Sequence, residues 1–187
     1  MGGSESLRLF CALRLPDEVV ETLVSWQQRE LRGRRAVPAG ERLVPASNIH
    51  VTLAFLGGRP ADELPAIAGA LRTAASEAGD LRLTERGYRE TRSVGMLTFD
   101  DDGGRATALA ERLHGLLEAL GVYQRERRPW LPHLTVLRFR DAPGLRPRLP
   151  EVGTVVPSDA AVYISRLRPG GAEYEVLETA DFGIPGR

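Results

Sequence analysis

The 187-residue chain has no lysine, a single cysteine and only three histidines. Without lysine, the G-x-x-x-x-G-K-[ST] phosphate loop cannot exist, and no G-x-S-x-G nucleophile turn occurs either. All 25 basic side chains are arginine and face 25 carboxylates. The missing lysine reads as coding bias rather than function. A net charge of zero argues against a non-specific grip on long nucleic acid and leaves room for a local basic cleft. The lone Cys11 excludes an internal disulfide and fits a reducing compartment. Its apolar strand context makes it a buried small hydrophobe rather than a nucleophile. No apolar run approaches the length of a membrane span, and no charged-then-apolar leader pattern opens the chain. With 42% hydrophobic and 27% charged residues, the expectation is a cytoplasmic, monomeric protein that needs no membrane. Residues 1–187 should form one domain in two lobes.

The pattern of elements is mixed. Leu7–Leu15 alternates as a strand, and Pro16-Asp17-Glu18 opens a helix with apolar residues at helical spacing as far as Leu31. Arg29–Arg35 closes that helix as a solvated basic cluster, followed by a loop at Pro38-Ala39-Gly40. A second helix is expected from Ala61 or Pro65 to Ala78, and strands over Leu81–Tyr88 and Val94–Phe99. Asp100-Asp101-Asp102-Gly103-Gly104 reads as a surface turn, since the ligand spacing of an EF-hand is missing. A third helix covers Arg105–Leu120 and stops at Gly121; His114 on it reads as a surface or boundary residue. A basic, aromatic loop over Tyr123–Pro132 follows. Val155–Leu167 and Tyr174–Ala180 are strands around a Pro169-Gly170-Gly171 hairpin loop.

One stretch occurs twice: His50-Val51-Thr52-Leu53 and, 83 residues later, His133-Leu134-Thr135-Val136. Threonine fills ten of the 187 positions, so a histidine meets threonine two residues on about one time in twenty by chance. Two of the three histidines do so. Both copies lie in short apolar strands, Ile49–Phe55 and His133–Phe139. Alternation predicts that His50, Thr52 and Ala54 share one face and Val51, Leu53 and Phe55 the other. The same parity groups His133, Thr135 and Leu137 against Leu134 and Val136.

Each copy thus offers an imidazole and a hydroxyl side by side. Two imidazoles facing one cleft can act as base and acid, since the unperturbed pKa is about 6.5. Two hydroxyls can donate to the non-bridging oxygens of a phosphate or phosphodiester. The residues therefore point to acid–base transfer at phosphorus, with no nucleophilic side chain, no metal and no cofactor. A zinc site would need further carboxylate or thiol ligands, which are absent at ligand spacing.

These motifs, with Pro45-Ala46-Ser47-Asn48-Ile49-His50 before the first and Arg128-Pro129-Trp130-Leu131-Pro132-His133 leading into the second, resemble the 2H phosphoesterase superfamily. Within it, the bacterial and archaeal RNA 2′,3′-cyclic phosphodiesterases, also called 2′-5′ RNA ligases, are most similar. The likeness extends from the opening strand at Arg8–Val19 to the closing pair holding Ser165-Arg166-Leu167 and Tyr174-Glu175-Val176-Leu177. It implies an α+β fold of two antiparallel sheets with pseudo-twofold symmetry around a central groove, with helices outside. It implies hydrolysis of an RNA 2′,3′-cyclic phosphate end to a 2′-phosphomonoester, with reversible 2′-5′ ligation as a side activity.

In that reading His50 donates a proton to the O3′ leaving group, His133 accepts one from water, and Thr52 and Thr135 hold phosphate oxygens. Arg138 would join them, although its strand parity is opposite to that of His133, so a bulge or the strand end must re-aim it. Phe10 and Trp130 are candidate base contacts. There are two departures, Val136 in place of leucine and bulky Leu137 in place of a small residue, and the second predicts a narrowed groove. Alternatives are a phosphodiesterase acting on small cyclic nucleotides or 2′-5′ oligonucleotides, and a non-catalytic RNA-end binder.

Overall fold

The computed structural model describes residues 5–32, 40–169 and 171–183. The expectations for the first residues, the end of the Arg29–Arg35 cluster, most of the Pro38-Ala39-Gly40 loop and Gly170 lie outside them.

Strand β1 (Ser6–Arg14) leads into helix α1 (Asp17–Trp26), whose last turn widens into a π-type segment over Gln27–Arg32. The expected helix thus runs as far as Leu31 but changes pitch at Gln27. Short β2 (Arg42–Leu43) precedes β3 (Val51–Pro60), and a tight turn leads to α2 (Leu64–Ala78). Pro65 sits in the first turn of α2, where its missing N–H costs nothing. The hairpin of β4 (Leu83–Glu90) and β5 (Val94–Asp101) follows, then α3 (Arg105–Ala119). Asp101 caps α3, its carboxylate accepting from the Ala106 and Thr107 N–H groups at 3.1 and 2.7 Å. The acidic turn therefore has a structural task beyond solvation. β6 (His133–Arg138), short β7 (Thr154–Val155), β8 (Asp159–Arg168) and β9 (Gly171–Ala180) complete the chain. The single strand expected over Val155–Leu167 is split at Pro157. β7 pairs with β4, and β8 then pairs with β1 on the opposite side of the molecule.

The strands run β7-β4-β5-β6-β3-β1-β8-β9, with β2 alongside β6. All pairings are antiparallel, and the two arrays β7-β4-β5-β6 and β3-β1-β8-β9 join through one residue pair, Val51 opposite Leu134. The molecule is thus α+β with two antiparallel halves, and the seam runs between the two His-Thr strands. Each half contains a strand–helix–strand unit whose second strand begins with the motif: β1-α1-β3 and β5-α3-β6.

The helices are crossed over this seam. Trp26 at the end of α1 is fully buried, with its ring 6.4 Å from that of Tyr88 on β4 and its indole N–H donating to the Arg148 carbonyl. α3 packs on β3, and α2 lies against α3, β8 and β9. Leucines of all three helices meet Leu9, Cys11, Leu13, Val51, Leu134 and Val136 in one core. Filling it by hydrophobic burial is the main stabilising term, and truncating one of its leucines to alanine costs roughly 2–5 kcal/mol. Burial pushes the Cys11 thiol up to about 12, so it is an inert packing residue, as its strand context predicts. On the other side of the sheet, Phe10, Ala12, Ala161 and Tyr163 form a separate apolar cluster under a groove.

Candidate active site

Both motifs open onto this groove, about 610 Å³ in volume, and His50, Thr52, His133 and Thr135 all line it. The predicted grouping of imidazole and hydroxyl is present in each copy. Beyond the threonine, however, simple alternation fails in both copies, and in the same way.

β3 carries a bulge at Leu53: Ala12 is opposite Thr52 and Cys11 opposite Ala54, so Leu53 has no partner on β1. β6 carries one at Val136: Met96 is opposite Thr135 and Gly95 opposite Leu137. A bulge adds one residue and reverses the facing of everything after it. Ala54 and Leu137, expected in the groove, are buried in the core. Phe55 and Arg138, expected on the far face, line the groove instead. Leu137 therefore does not narrow the groove; it lines a separate hollow with Gln27 and Val44.

A bulge also leaves carbonyls without ladder partners, and buried carbonyls must find donors. His114 on α3 is 6% exposed, and its Nε2–H donates to the Leu53 carbonyl at 2.8 Å. The indole of Trp130 donates to the neighbouring Thr52 carbonyl at 2.9 Å. On the other strand the Val136 carbonyl accepts from the Gln27 side-chain amide at 2.7 Å and from the Val44 N–H at 3.1 Å. Gln27 is fully buried for this purpose and also donates to the Val44 carbonyl at 3.0 Å. His114 is thus a buried structural donor, not the surface or boundary residue that its place on a helix suggested. Its helical position carries no sign of this, because the acceptor exists only once a distant strand bulges.

The two histidines are held differently. The carbonyl of Leu131, two residues before His133, accepts from its Nδ1–H at 2.8 Å and leaves Nε2 for the groove. Asn48 stands two residues before His50, but Nδ1 of His50 is buried without reaching hydrogen-bond geometry. Nε2 of His50 lies 3.1 Å from the Thr52 hydroxyl. Burial drives the His50 pKa down to about 4; the Asn48 backbone opposes this, while His133 and Arg138 add to it.

The ring of Phe10 is 4.9 Å from that of His50, and Tyr174 meets His50 edge-on at 5.4 Å. Tyr163 stacks on Phe10 at 4.8 Å. Burial raises the Tyr163 phenol to about 12 and keeps it neutral. Phe10 is therefore a largely buried prop for His50 on the groove floor. Trp130 does not line this groove but lines an adjoining cavity. Tyr163, Tyr174, Phe55 and Arg8 were not foreseen. Alternation along β8 alone would have put Tyr163 and Ser165 on one face, but not on this one. Among the described residues no three His, Cys, Asp or Glu side chains gather closely enough to hold a metal ion.

A fold of two crossed antiparallel halves with one His-Thr strand from each defines a class, and comparison with known proteins gives its name. The family model of the 2′-5′ RNA ligase superfamily matches residues 16–168. The chain belongs to this superfamily. It is 37% identical over 183 residues to an RNA 2′,3′-cyclic phosphodiesterase of Thermus thermophilus, covering 92% of this chain and 88% of that one. An Escherichia coli protein of the same name is 33% identical over 138 residues, covering 72% and 73%. Among solved structures, one from Thermus thermophilus superposes with a TM-score of 0.79 at 31% identity, covering 96% of this chain and all of that one. E. coli LigT complexed with 3′-AMP superposes at 0.80 with 25% identity, covering 95% and 99%.

Proposed function

We propose that the protein hydrolyses the 2′,3′-cyclic phosphate at an RNA 3′ end to a 2′-phosphomonoester, using His50 and His133 as its acid–base pair. The observation that carries this reading is the meeting of both His-Thr pairs in one groove. The names of the Thermus and E. coli relatives and the nucleotide in the LigT complex agree with it.

Thr52, Thr135 and Arg138 supply donors and positive charge for the non-bridging oxygens. With Nδ1–H tied to Leu131, neutral His133 presents a lone pair at Nε2, which suits the residue that deprotonates water. His50 is then the donor to O3′. It enters the cycle neutral; an anionic phosphate beside it offsets Arg138 and favours the imidazolium, whose Nδ1–H has the Asn48 carbonyl within short reach. With a 5′-hydroxyl in place of water, the same transfers form the bond from O5′ to phosphorus, expel O3′ as its hydroxyl and give the 2′-5′ ligation; attack of that 3′-hydroxyl on the 2′-5′ linkage is the reverse.

The low pKa of free His50 favours a second reading in which the roles are exchanged. A substrate with sulfur at the 3′ bridging position separates the two, because a thiolate leaves without a proton. The first reading expects His50→Ala to regain most of its lost rate on the thio substrate and His133→Ala to stay inactive. Rescue of His133→Ala instead establishes the exchange. Normal turnover by both variants on the ordinary substrate overturns the two-histidine mechanism.

A further inference from the structure

A second cavity, of about 650 Å³, adjoins the catalytic groove and shares Thr52, Phe55 and His133 with it. Its outer wall is the basic, aromatic loop between α3 and β6. Four arginines line it, Arg89, Arg125, Arg127 and Arg128, against the two glutamates Glu111 and Glu126. Arg125 is engaged with Glu118, whereas Arg89, Arg127 and Arg128 have no carboxylate at ion-pair distance among the described residues. In a chain of zero net charge, these three guanidinium groups outnumber the two lining glutamates and leave the cleft positive on balance. Tyr123 and Trp130 stand among them half-buried, and the bond from the Trp130 indole to the Thr52 carbonyl fixes that ring in place.

We propose that this cavity is a track for single-stranded RNA, holding the nucleotides on the 5′ side of the reacting end. The proposal rests on the cyclic phosphodiesterase reading and names its substrate class: oligonucleotides rather than cyclic mononucleotides. A 2′,3′-cyclic phosphate terminates its strand, so every other nucleotide of the substrate leaves the groove in the 5′ direction. The groove itself has the volume of a small-molecule pocket. One of its arginines, Arg8, is occupied above the Phe55 ring, 4.8 Å from the ring centre. The adjoining cavity offers what a single strand requires, guanidinium groups for successive phosphates and rings on which bases stack without regard to sequence.

The test compares kcat/KM on 2′,3′-cyclic AMP and on a decamer ending in a cyclic phosphate, over a range of salt, for wild type and the double variant R127A/R128A. The wild type is expected to favour the decamer. The variant should lose about tenfold on the decamer, with a salt slope shallower by about 1.4, as for two phosphate contacts on a single strand. It should keep its rate on the mononucleotide. Equal wild-type efficiency on both substrates overturns the track, as does an equal loss on both in the variant. Anisotropy with a decamer ending in a 3′-hydroxyl separates the two readings. If the wild type hydrolyses neither substrate yet binds this decamer in an Arg127- and Arg128-dependent way, the reaction is wrong and the track stands. Binding that ignores both arginines overturns the track.

Discussion

His50 is surrounded by rings rather than charges, and that setting decides its titration. Phe10 and Tyr174 exclude water from it, and the neutral form is favoured down to about pH 4. Its folded pKa is below the ordinary 6.5, so the folded state binds fewer protons than the unfolded chain between those values. The stabilising contribution is fully present above pH 6.5 and is lost as the pH falls toward 4. Between pH 7 and pH 4 the melting temperature of wild type should therefore fall further than that of His50→Gln. NMR titration of the His50 ring should give a pKa near 4 in the free protein and a higher one with 2′-AMP bound. An unchanged value would mean that the bound phosphate does not favour the imidazolium of His50. At the same scale, Arg138→Ala should raise KM or lower kcat by about ten- to a hundredfold, as expected for losing a charged hydrogen bond to phosphate. Arg138→Lys should recover only part, since a point charge replaces a two-pronged donor.

At the scale of strands, the shared face of each His-Thr pair was legible and the boundary of that legibility is the bulge. His50, Thr52, His133 and Thr135 precede it, so alternation predicts their shared face. Ala54, Phe55, Leu137 and Arg138 follow it, and alternation puts each on the wrong side. Arg138 reaches the groove by the route its parity demanded, whereas Phe55 was missed because nothing in its local sequence marks an extra residue at Leu53. Helices were read to within a few residues because leucine spacing and Pro, Asp and Gly boundaries are local signals. Gln27 and His114 were not, since their partners are carbonyls freed 109 and 61 residues away. If these two donors set the bulges, His114→Leu and Gln27→Leu should lower kcat more than they raise KM, and each should lose about 1–3 kcal/mol of stability, since one removes the donor to the Leu53 carbonyl and the other the donor to the Val44 and Val136 carbonyls. His114→Gln keeps a donor and should restore turnover. A loss of stability with kcat intact in the leucine variants would show that the bulges hold without them.

For the whole molecule, the seam between β3 and β6 is thin, a single residue pair, yet the halves do not form separate bodies. Trp26 of the first strand–helix–strand unit is buried beside Tyr88 of the second half, and α3 of the second unit lies on β3 of the first. The Arg14–Asp159 pair, bidentate at 2.8 Å, fastens β1 to β8 across 145 residues of sequence. Calorimetry should accordingly show one transition with equal calorimetric and van't Hoff enthalpies; two resolved transitions would mean the lobes melt independently. Among the described residues no helix is long and apolar enough to cross a membrane.

The crossed helices also bear on how such a chain can change. Each His-Thr strand is finished by a part belonging to its neighbour: Gln27 completes the strand of His133, and His114 completes that of His50. Neither repeat can drift alone. A substitution in one is answered on the His-Thr strand of the other, so grafting one half from a relative succeeds only when the opposite helix travels with it.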